Sequence, residues 1–100
     1  MAADNPDVPF VMAHLGGDWE RGCKTVQHLE NIWVDTSGSI AQLGMVEKAV
    51  KTLGSNRILF GSDAPVDLAF SYAKVQGSML TEDEKEAVFR KNALRLLFQR

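Results

Sequence analysis

Three short apolar runs alternate with helix-forming segments, and this alternation limits the fold more than any other feature of the chain. The runs span residues 9–14, 31–36 and 57–62. Each is rich in β-branched, aromatic or aliphatic residues and closes on small turn residues, as strands do. Because a helix between two parallel strands returns the chain to its starting edge, the pattern predicts an α/β fold of three consecutive parallel β/α units.

Apolar residues at helical spacing mark the segments between and after these runs. The first two faces consist of Trp19, Cys23, Val26 and Leu29, and of Leu43, Val46, Val50 and Leu53 before Gly54. A third, less regular face consists of Leu68, Phe70, Tyr72 and Val75. Thr81 and Glu84 have the spacing of a capping box. The helix that they start carries Val88, Phe89, Ala93, Leu96 and Leu97, and Asn92 is expected to cap or kink it.

The composition is that of one globular domain covering residues 1–100, with 45% hydrophobic and 24% charged residues. A net charge of −2 gives no basic field for nucleic acid or an anionic membrane. The single cysteine, Cys23, excludes an internal disulfide. No apolar run approaches the roughly 20 residues of a membrane span, and the start lacks the pattern of a secretory signal. We therefore expect a cytoplasmic protein that acts on a small molecule.

Three polar residues stand at or near the ends of the apolar runs: His14, Asp35 and Asp63. In parallel β/α folds the reactive groups gather at the carboxyl ends of the strands, which makes all three candidate functional residues. Each also has a structural interpretation. His14 could be a hydrogen-bonded structural residue, Asp35 could tie down the turn that follows it, and Asp63 could cap a helical segment starting at Pro65.

Gly16 and Gly17 allow a different function. Two glycines before a helix can present backbone amides to an anion, which would suit a small α/β binding domain. No GxGxxG or Walker pattern accompanies them. The signal for an anion site is therefore weak.

Four segments together resemble the amidohydrolase-related family, which includes aminocarboxymuconate-semialdehyde decarboxylase. They are Ala-His-Leu-Gly-Gly at 13–17, Asn-Ile-Trp-Val-Asp-Thr-Ser-Gly at 31–38, Arg-Ile-Leu-Phe-Gly-Ser-Asp-Ala-Pro at 57–65, and Asn-Ala-Leu-Arg-Leu-Leu at 92–97. One such motif would mean little, but four in order at β/α spacing cover nearly the whole chain. The resemblance implies strands six to eight of a distorted (β/α)8 barrel with a divalent metal at the carboxyl ends of its strands.

The resemblance also implies roles for individual residues. His14 corresponds to a general base or, in some members, a metal ligand, and Asp63 corresponds to a metal ligand that can also take a proton. Asp35 and Ser37 are predicted to line the substrate pocket. The expected cofactor is a divalent metal, zinc first, with manganese or another divalent ion as alternatives. A metal activates water at neutral pH, an imidazole can move the proton, and a carboxylate suits the cation.

The chain departs from the family pattern because it lacks the H-x-H or E-x-H pair of the first strand and the histidine of the fifth. Catalytic zinc usually takes three protein ligands, and such barrels need about 250 residues. We therefore expect a fragment or truncated reading frame that binds metal weakly. Its open strand edges should make it self-associate or pair with the missing strands. The leading function is the carboxyl-terminal part of a metal-dependent hydrolase or decarboxylase acting on a small organic acid or carbonyl compound. The alternative is a non-catalytic segment that docks onto a partner carrying those strands.

Overall fold

The computed structural model describes residues 1–63 and 68–98. Three strands alternate with helices in the order β1 (Phe10–Met12), α1 (Trp19–Thr25), β2 (Ile32–Asp35), α2 (Met45–Leu53), β3 (Ile58–Leu59), α3 (Leu68–Gln76), α4 (Glu82–Glu86) and α5 (Asn92–Phe98). Two 3-10 turns, Ala13–Gly16 and Ser55–Arg57, lie after β1 and before β3. The predicted α/β architecture is confirmed.

The described strands form one parallel sheet in the order β1-β2-β3. Phe10 pairs with Ile32 and Met12 with Val34, while Val34 pairs with Ile58 on the other side of β2. The carboxyl ends of all three strands therefore lie along one rim of the sheet, and their amino ends along the other.

Each strand is shorter than the sequence predicts. The predicted strand at residues 9–14 ends at Met12, because Ala13–Gly16 turns away as a 3-10 turn. The second strand covers 32–35 rather than 31–36, and the third covers 58–59 rather than 57–62. Apolar character was a poor guide to the strand ends because Ala13–Gly16 and Ser55–Arg57 form 3-10 turns and the Phe60 amide donates to the Val88 carbonyl of the last helical segment.

Helices cover one face of the sheet and build the core on it. The buried cluster combines residues of the strands, the helices and the connecting turns: Leu15, Cys23, Val26, Ile32, Val34, Met45, Val46, Ala49, Val50, Leu53, Ile58, Val75, Leu80 and Val88. The opposite face is less covered. Val11 is 50% exposed and its register partner Trp33 is half-buried. The nearly continuous apolar strands predicted a sheet covered on both faces, whereas the part of the chain that the structure describes leaves Val11 on the opposite face half exposed.

Three apolar residues assigned to helical faces lie outside the helices: Val26, Leu29 and Leu43. Leu29 follows the end of α1 at Thr25 and packs against the core from the connecting turn. Leu43 precedes Gly44, the N-cap residue of α2, and is fully exposed. The other predicted members of the α2 face, Val46, Val50 and Leu53, are buried.

Arg57 joins the end of α1 to the sheet. Its guanidinium donates to the carbonyl oxygens of Val26 and Leu29 at 3.1 and 2.6 Å, of Gln27 at 3.0 Å and of Ile32 at 2.9 Å. These carbonyls lie beyond the last helical turn, where no intrahelical donor is available. Arg57 therefore fixes the connection between α1 and β2.

The last helical segment is anchored at both ends. Thr81 and Glu84 form the predicted capping box, in which each backbone amide donates to the other residue's side chain. A π-helical turn, Ala87–Lys91, separates α4 from α5. Asn92, the next residue, is fully buried. Its side-chain amide donates to the carbonyl oxygens of Ser55 and Ile58. Asn92 thus ties α5 to the start of β3 rather than capping a helix.

No helix within residues 1–63 and 68–98 combines the length and apolar character needed to cross a membrane.

Candidate functional site

The site lies at the carboxyl-end rim, and its first part is the turn after β1. His14 and Leu15 adopt left-handed backbone conformations, with φ of 59° and 53°. The backbone amide of His14 donates to Oδ1 of Asp35 at 3.0 Å. This hydrogen bond holds the His14 turn against the end of β2, because Asp35 is the last residue of that strand.

Asp35 also organises the turn that follows it. Its Oδ1 accepts from the Ser37 backbone amide at 3.0 Å and from the Ser37 hydroxyl at 2.6 Å. Ser37 Oγ in turn lies 3.1 Å from Nδ1 of His14. The structural interpretation of Asp35 therefore holds, and the same carboxylate oxygen connects the β1 and β2 ends of the rim.

Asp63 stands beyond the end of β3, beside His14. Its Oδ2 lies 3.8 Å from His14 Nδ1, and the two side chains are 50% and 46% exposed. The imidazole and the carboxylate thus share one rim within the span of one ion and its ligands. A cap on a segment starting at Pro65 falls outside the described residues.

Backbone strain is concentrated at these residues. Among the described residues, the only non-glycine side chains at positive φ are His14, Leu15 and Asp63, the last with φ of 51°. A left-handed conformation costs an L-residue about 1–2 kcal/mol, and such strain gathers at functional sites. Both candidate reactive groups are therefore held in conformations that the chain would not adopt without surrounding support.

Glycines make room for this arrangement. A Cβ on Gly38 would lie 2.8 Å from His14 Nδ1, and a Cβ on Gly61 would lie 3.2 Å from Asp35 Cγ. Gly38 has φ of +106°, a conformation that favours glycine. The imidazole ring therefore packs directly against the backbone at the start of the loop after β2.

The two glycines of the first motif also have structural roles. Gly16 approaches α1 so closely that a Cβ on it would lie 2.8 Å from Gly22 Cα, and Gly17 donates its amide to the His14 carbonyl at 2.9 Å. A Cβ on Gly22 would lie 2.4 Å from the Leu15 carbonyl oxygen. These contacts explain the glycines without an anion.

A hollow of about 380 Å³ opens over the rim, within the size range of small-molecule sites. Its described lining is His14, Gly17, Ser37, Gly38, Ser39, Ile40, Met45 and Asp63. Three of the four residues predicted from sequence thus line one cavity. Asp35 is not among the lining residues, and its Oδ1 accepts three hydrogen bonds from the two turns. The substrate contact through Asp35 stays a prediction.

A larger hollow of about 510 Å³ lies at the opposite rim. Pro9 and Asn31, which precede β1 and β2, line it together with Glu30 and Arg95. In parallel β/α folds the amino-end rim serves stability and the carboxyl-end rim serves chemistry. We therefore place the functional site in the smaller hollow.

An imidazole nitrogen and a carboxylate oxygen suit zinc or another borderline divalent cation. They are two ligands, however, and nowhere in residues 1–63 and 68–98 do three or more histidine, cysteine, aspartate or glutamate side chains come together as a metal site. The residues present fit part of a metal centre and not the whole of one.

Sequence reasoning missed two residues that shape the site. Gly38 was only a turn residue in the sequence, and its contact with His14 depends on the fold. Lys74, on α3, donates to the carbonyl oxygens of Thr36 at 2.8 Å and Gly38 at 2.9 Å, which fixes the loop after β2. A lone lysine in an irregular helical pattern carries no signal of this role.

Comparison with known proteins identifies similar chains. An uncharacterized protein, y4mH, of Sinorhizobium fredii is 28% identical over 93% of this chain and 40% of its own length. An amidohydrolase from Burkholderia multivorans solved with bound zinc superposes with a TM-score of 0.76 and 18% identity, over 94% of this chain and 45% of that one. A dihydroxybenzoic acid decarboxylase from Polaromonas sp. JS666 was solved with manganese and 2-nitroresorcinol. It superposes with a TM-score of 0.75 and 17% identity, over 94% of this chain and 35% of that one.

The structural matches show a shared fold, and the chain spans less than half the length of each of these relatives. The family model described as amidohydrolase matches residues 1–99, which is nearly the whole sequence. The resemblance carried by the four strand-end and helix motifs is therefore confirmed, and the chain belongs to the amidohydrolase family.

Proposed function

We propose that this chain is the carboxyl-terminal part of a metal-dependent hydrolase or decarboxylase, in which β1, β2 and β3 are strands six to eight of a (β/α)8 barrel. Three parallel β/α units with one open sheet face suit a barrel segment, since the inner face of a barrel is covered by side chains of the other strands. The relatives that contain the matching segment are more than twice as long as this chain.

The observation that carries the proposal is the pairing of His14 with Asp63. Their Nδ1 and Oδ2 atoms lie 3.8 Å apart at the carboxyl-end rim. Both side chains line the same hollow, and both residues hold left-handed backbone conformations. A structural histidine and a helix cap would have no reason to share these three properties.

Asp63 would hold the metal, and His14 would either hold it as well or act beside it as general base. When bound, a divalent metal supplies polarisation of a substrate carbonyl or carboxylate and activation of water at neutral pH. Zinc is the first choice for a nitrogen and oxygen donor set, with manganese as the alternative, and relatives have been solved with each. The remaining ligands would come from the strands that this chain does not contain.

The chain's own residues then divide the work. His14 accepts or returns a proton at Nε2, the ring nitrogen that faces away from Ser37. The Asp63 carboxylate holds the cation and can take up a proton. Ser37 lines the hollow next to His14 and would contact a small organic acid or carbonyl compound. Asp35 supports the two turns rather than the substrate.

Reconstitution tests this function. The chain is mixed with the amino-terminal part of a family member that carries the missing strands and their H-x-H pair, and loaded with Zn²⁺ or Mn²⁺. Loss of CO2 from dihydroxybenzoates and hydrolysis of esters and lactones are then assayed. We expect activity that needs both segments and the metal, and that falls by about 10²–10⁴-fold in His14→Asn and Asp63→Asn.

His28→Asn and Asp83→Asn are the matched controls, because they make the same chemical changes at exposed positions away from the rim. Both should retain activity. Complex formation without metal-dependent turnover, or turnover that survives both His14→Asn and Asp63→Asn, would contradict the proposal.

A further inference from the structure

We propose that Asp35 and Ser37 are positioning residues that fix the tautomer of His14, with the ring proton on Nδ1 and a lone pair on Nε2. This inference deepens the proposed function, because a proton acceptor or metal ligand at Nε2 must be unprotonated there. It assigns to Asp35 a role other than substrate contact, and to Ser37 a role in addition to it.

The first step concerns Asp35 Oδ1, which acts as an acceptor. It accepts from the backbone amides of His14 and Ser37, both at 3.0 Å. A backbone N–H can only donate, and a carboxylate oxygen can only accept. Asp35 Oδ1 must therefore act as an acceptor, because both backbone amides can only donate to it.

The second step concerns the proton of Ser37. Its Oγ lies 2.6 Å from Asp35 Oδ1, the length of an O–H···O⁻ hydrogen bond. Because Oδ1 is an acceptor, the hydroxyl proton must point at it. A hydroxyl has one proton and two lone pairs, so Ser37 Oγ can only accept from any further neighbour.

The third step concerns the hydrogen bond between Ser37 Oγ and the imidazole of His14. His14 Nδ1 lies 3.1 Å from Ser37 Oγ, so Nδ1 must donate and carry a proton. The Asp63 carboxylate lies 3.8 Å from the same nitrogen, and it is also an acceptor. Both polar neighbours of Nδ1 thus favour the same tautomer, and the backbone of Gly38 packs against that side of the ring.

The geometry therefore forms a directed chain from the Asp35 carboxylate through the Ser37 hydroxyl to His14. The two β-strand ends that supply it are neighbours in the sheet, so the chain depends on the parallel pairing of β1 with β2. A merely structural Asp35 would hold the turns and leave the imidazole free to exchange its proton between the two nitrogens.

The test is ¹⁵N NMR of the imidazole rings in the full chain without added metal, at a pH where both histidines are neutral. We expect His14 to show a protonated Nδ1 and an unprotonated Nε2. The exposed His28 provides an internal reference for an imidazole that exchanges between tautomers in water. A neutral His14 that carries its proton on Nε2 would overturn the inference.

Variants separate the two positioning residues. Ser37→Ala removes the nearer acceptor of Nδ1–H and leaves the Asp63 carboxylate at 3.8 Å, so His14 should shift towards the tautomer mixture of His28, while Ser37→Thr should restore the wild-type spectrum. Asp35→Ala frees the Ser37 hydroxyl to donate to Nδ1, so the tautomer should invert. If Asp35→Ala does not fold, the comparison of Ser37→Ala with Ser37→Thr still decides, and an unchanged tautomer in folded Ser37→Ala would overturn the inference.

Failure here and failure of the proposed function have different signatures. The tautomer is read without metal or substrate, so the reconstituted chain could prove inactive while Nδ1 remains protonated. Conversely, the reconstituted chain could show metal-dependent activity while the His14 tautomer is unchanged in Ser37→Ala. That result would support the proposed function and contradict the positioning role.

Discussion

His14 shows how much of this site depends on single residues. Its left-handed backbone is held by hydrogen bonds to Asp35 and Gly17, and its ring packs against Gly38, which has no side chain. Strained residues persist only where the surroundings determine them. The precision of the rim therefore depends on small contacts that a conservative change can disturb.

Gly38→Ala tests the contact beneath the ring. A Cβ at this position would lie 2.8 Å from His14 Nδ1, so we expect the imidazole to be displaced and its NMR signals to shift. Gly44→Ala is the control, since Gly44 also has positive φ but a Cβ on it would have no neighbouring atom within 4 Å. Both should lose about 1–2 kcal/mol of stability, and only Gly38→Ala should move the His14 signals. Equal His14 spectra in both variants would contradict the packing.

Cys23 gives a prediction on pH. Burial raises the pKa of the Cys23 thiol above its ordinary value of 9.0, and the charge of Arg57 offsets part of that rise. The stabilising effect of the neutral thiol is complete below pH 9.0 and is lost as the pH rises through the folded-state pKa. Urea unfolding from about pH 7 to pH 10 should therefore show a steeper alkaline loss in the wild type than in Cys23→Ala. Parallel pH profiles would rule this out.

At the scale of elements, Arg57 connects α1, β2 and β3 through four backbone carbonyls. Arg57→Met removes all four guanidinium hydrogen bonds, and the carbonyls of Val26 and Leu29 keep only the backbone amides of Leu29 and Ile32 as donors. We expect the free energy of unfolding to fall by about 2–4 kcal/mol, measured by urea denaturation. Arg90→Met is the control, because Arg90 is exposed and forms an ion pair with Glu86, one helical turn away. This substitution should cost less than about 1 kcal/mol. Similar losses in the two variants would show that Arg57 is not the connector.

The sequence predicted the elements well where local chemistry decides them. Alternation gave the parallel sheet, and Thr81 with Glu84 gave the capping box. It failed where contacts between distant segments decide the backbone. The left-handed turn at His14 depends on Asp35, 21 residues away, and the role of Asn92 depends on the carbonyl oxygens of Ser55 and Ile58.

The same distinction holds for the site. Position at the strand ends pointed to His14, Asp35 and Asp63, because parallel strands bring their carboxyl ends to one rim, and His14 and Asp63 do line one hollow there. Position at a strand end could not decide whether Asp35 contacts the substrate or supports the turns at the rim. That choice depends on hydrogen-bond directions, which the sequence does not contain.

At the scale of the whole molecule, the three-stranded sheet has an open edge at β1. The outer edge of β1 has no strand partner within residues 1–63 and 68–98, and Val11 on this strand is 50% exposed. Unpaired edges with apolar side chains promote association. We propose that the isolated chain self-associates or pairs with the missing barrel strands.

Val11→Lys tests the role of this edge, because a charge on an edge strand opposes pairing. Light scattering at micromolar concentration should show association of the wild type and less association of Val11→Lys. Leu43→Lys makes the same kind of change at a fully exposed loop position and should associate as the wild type does. A monomeric, two-state wild type, or an equal effect of both substitutions, would argue against an open edge.

The central claim is that His14 and Asp63 face one divalent cation, and addition of paramagnetic Mn²⁺ to the ¹⁵N-labelled chain tests it most directly. We predict weak binding that broadens the amide signals of His14, Ser37 and Asp63 before those of the opposite rim, and that disappears in His14→Asn and Asp63→Asn but persists in His28→Asn. Broadening that is absent at the rim, or that is unchanged by both substitutions, would contradict the claim.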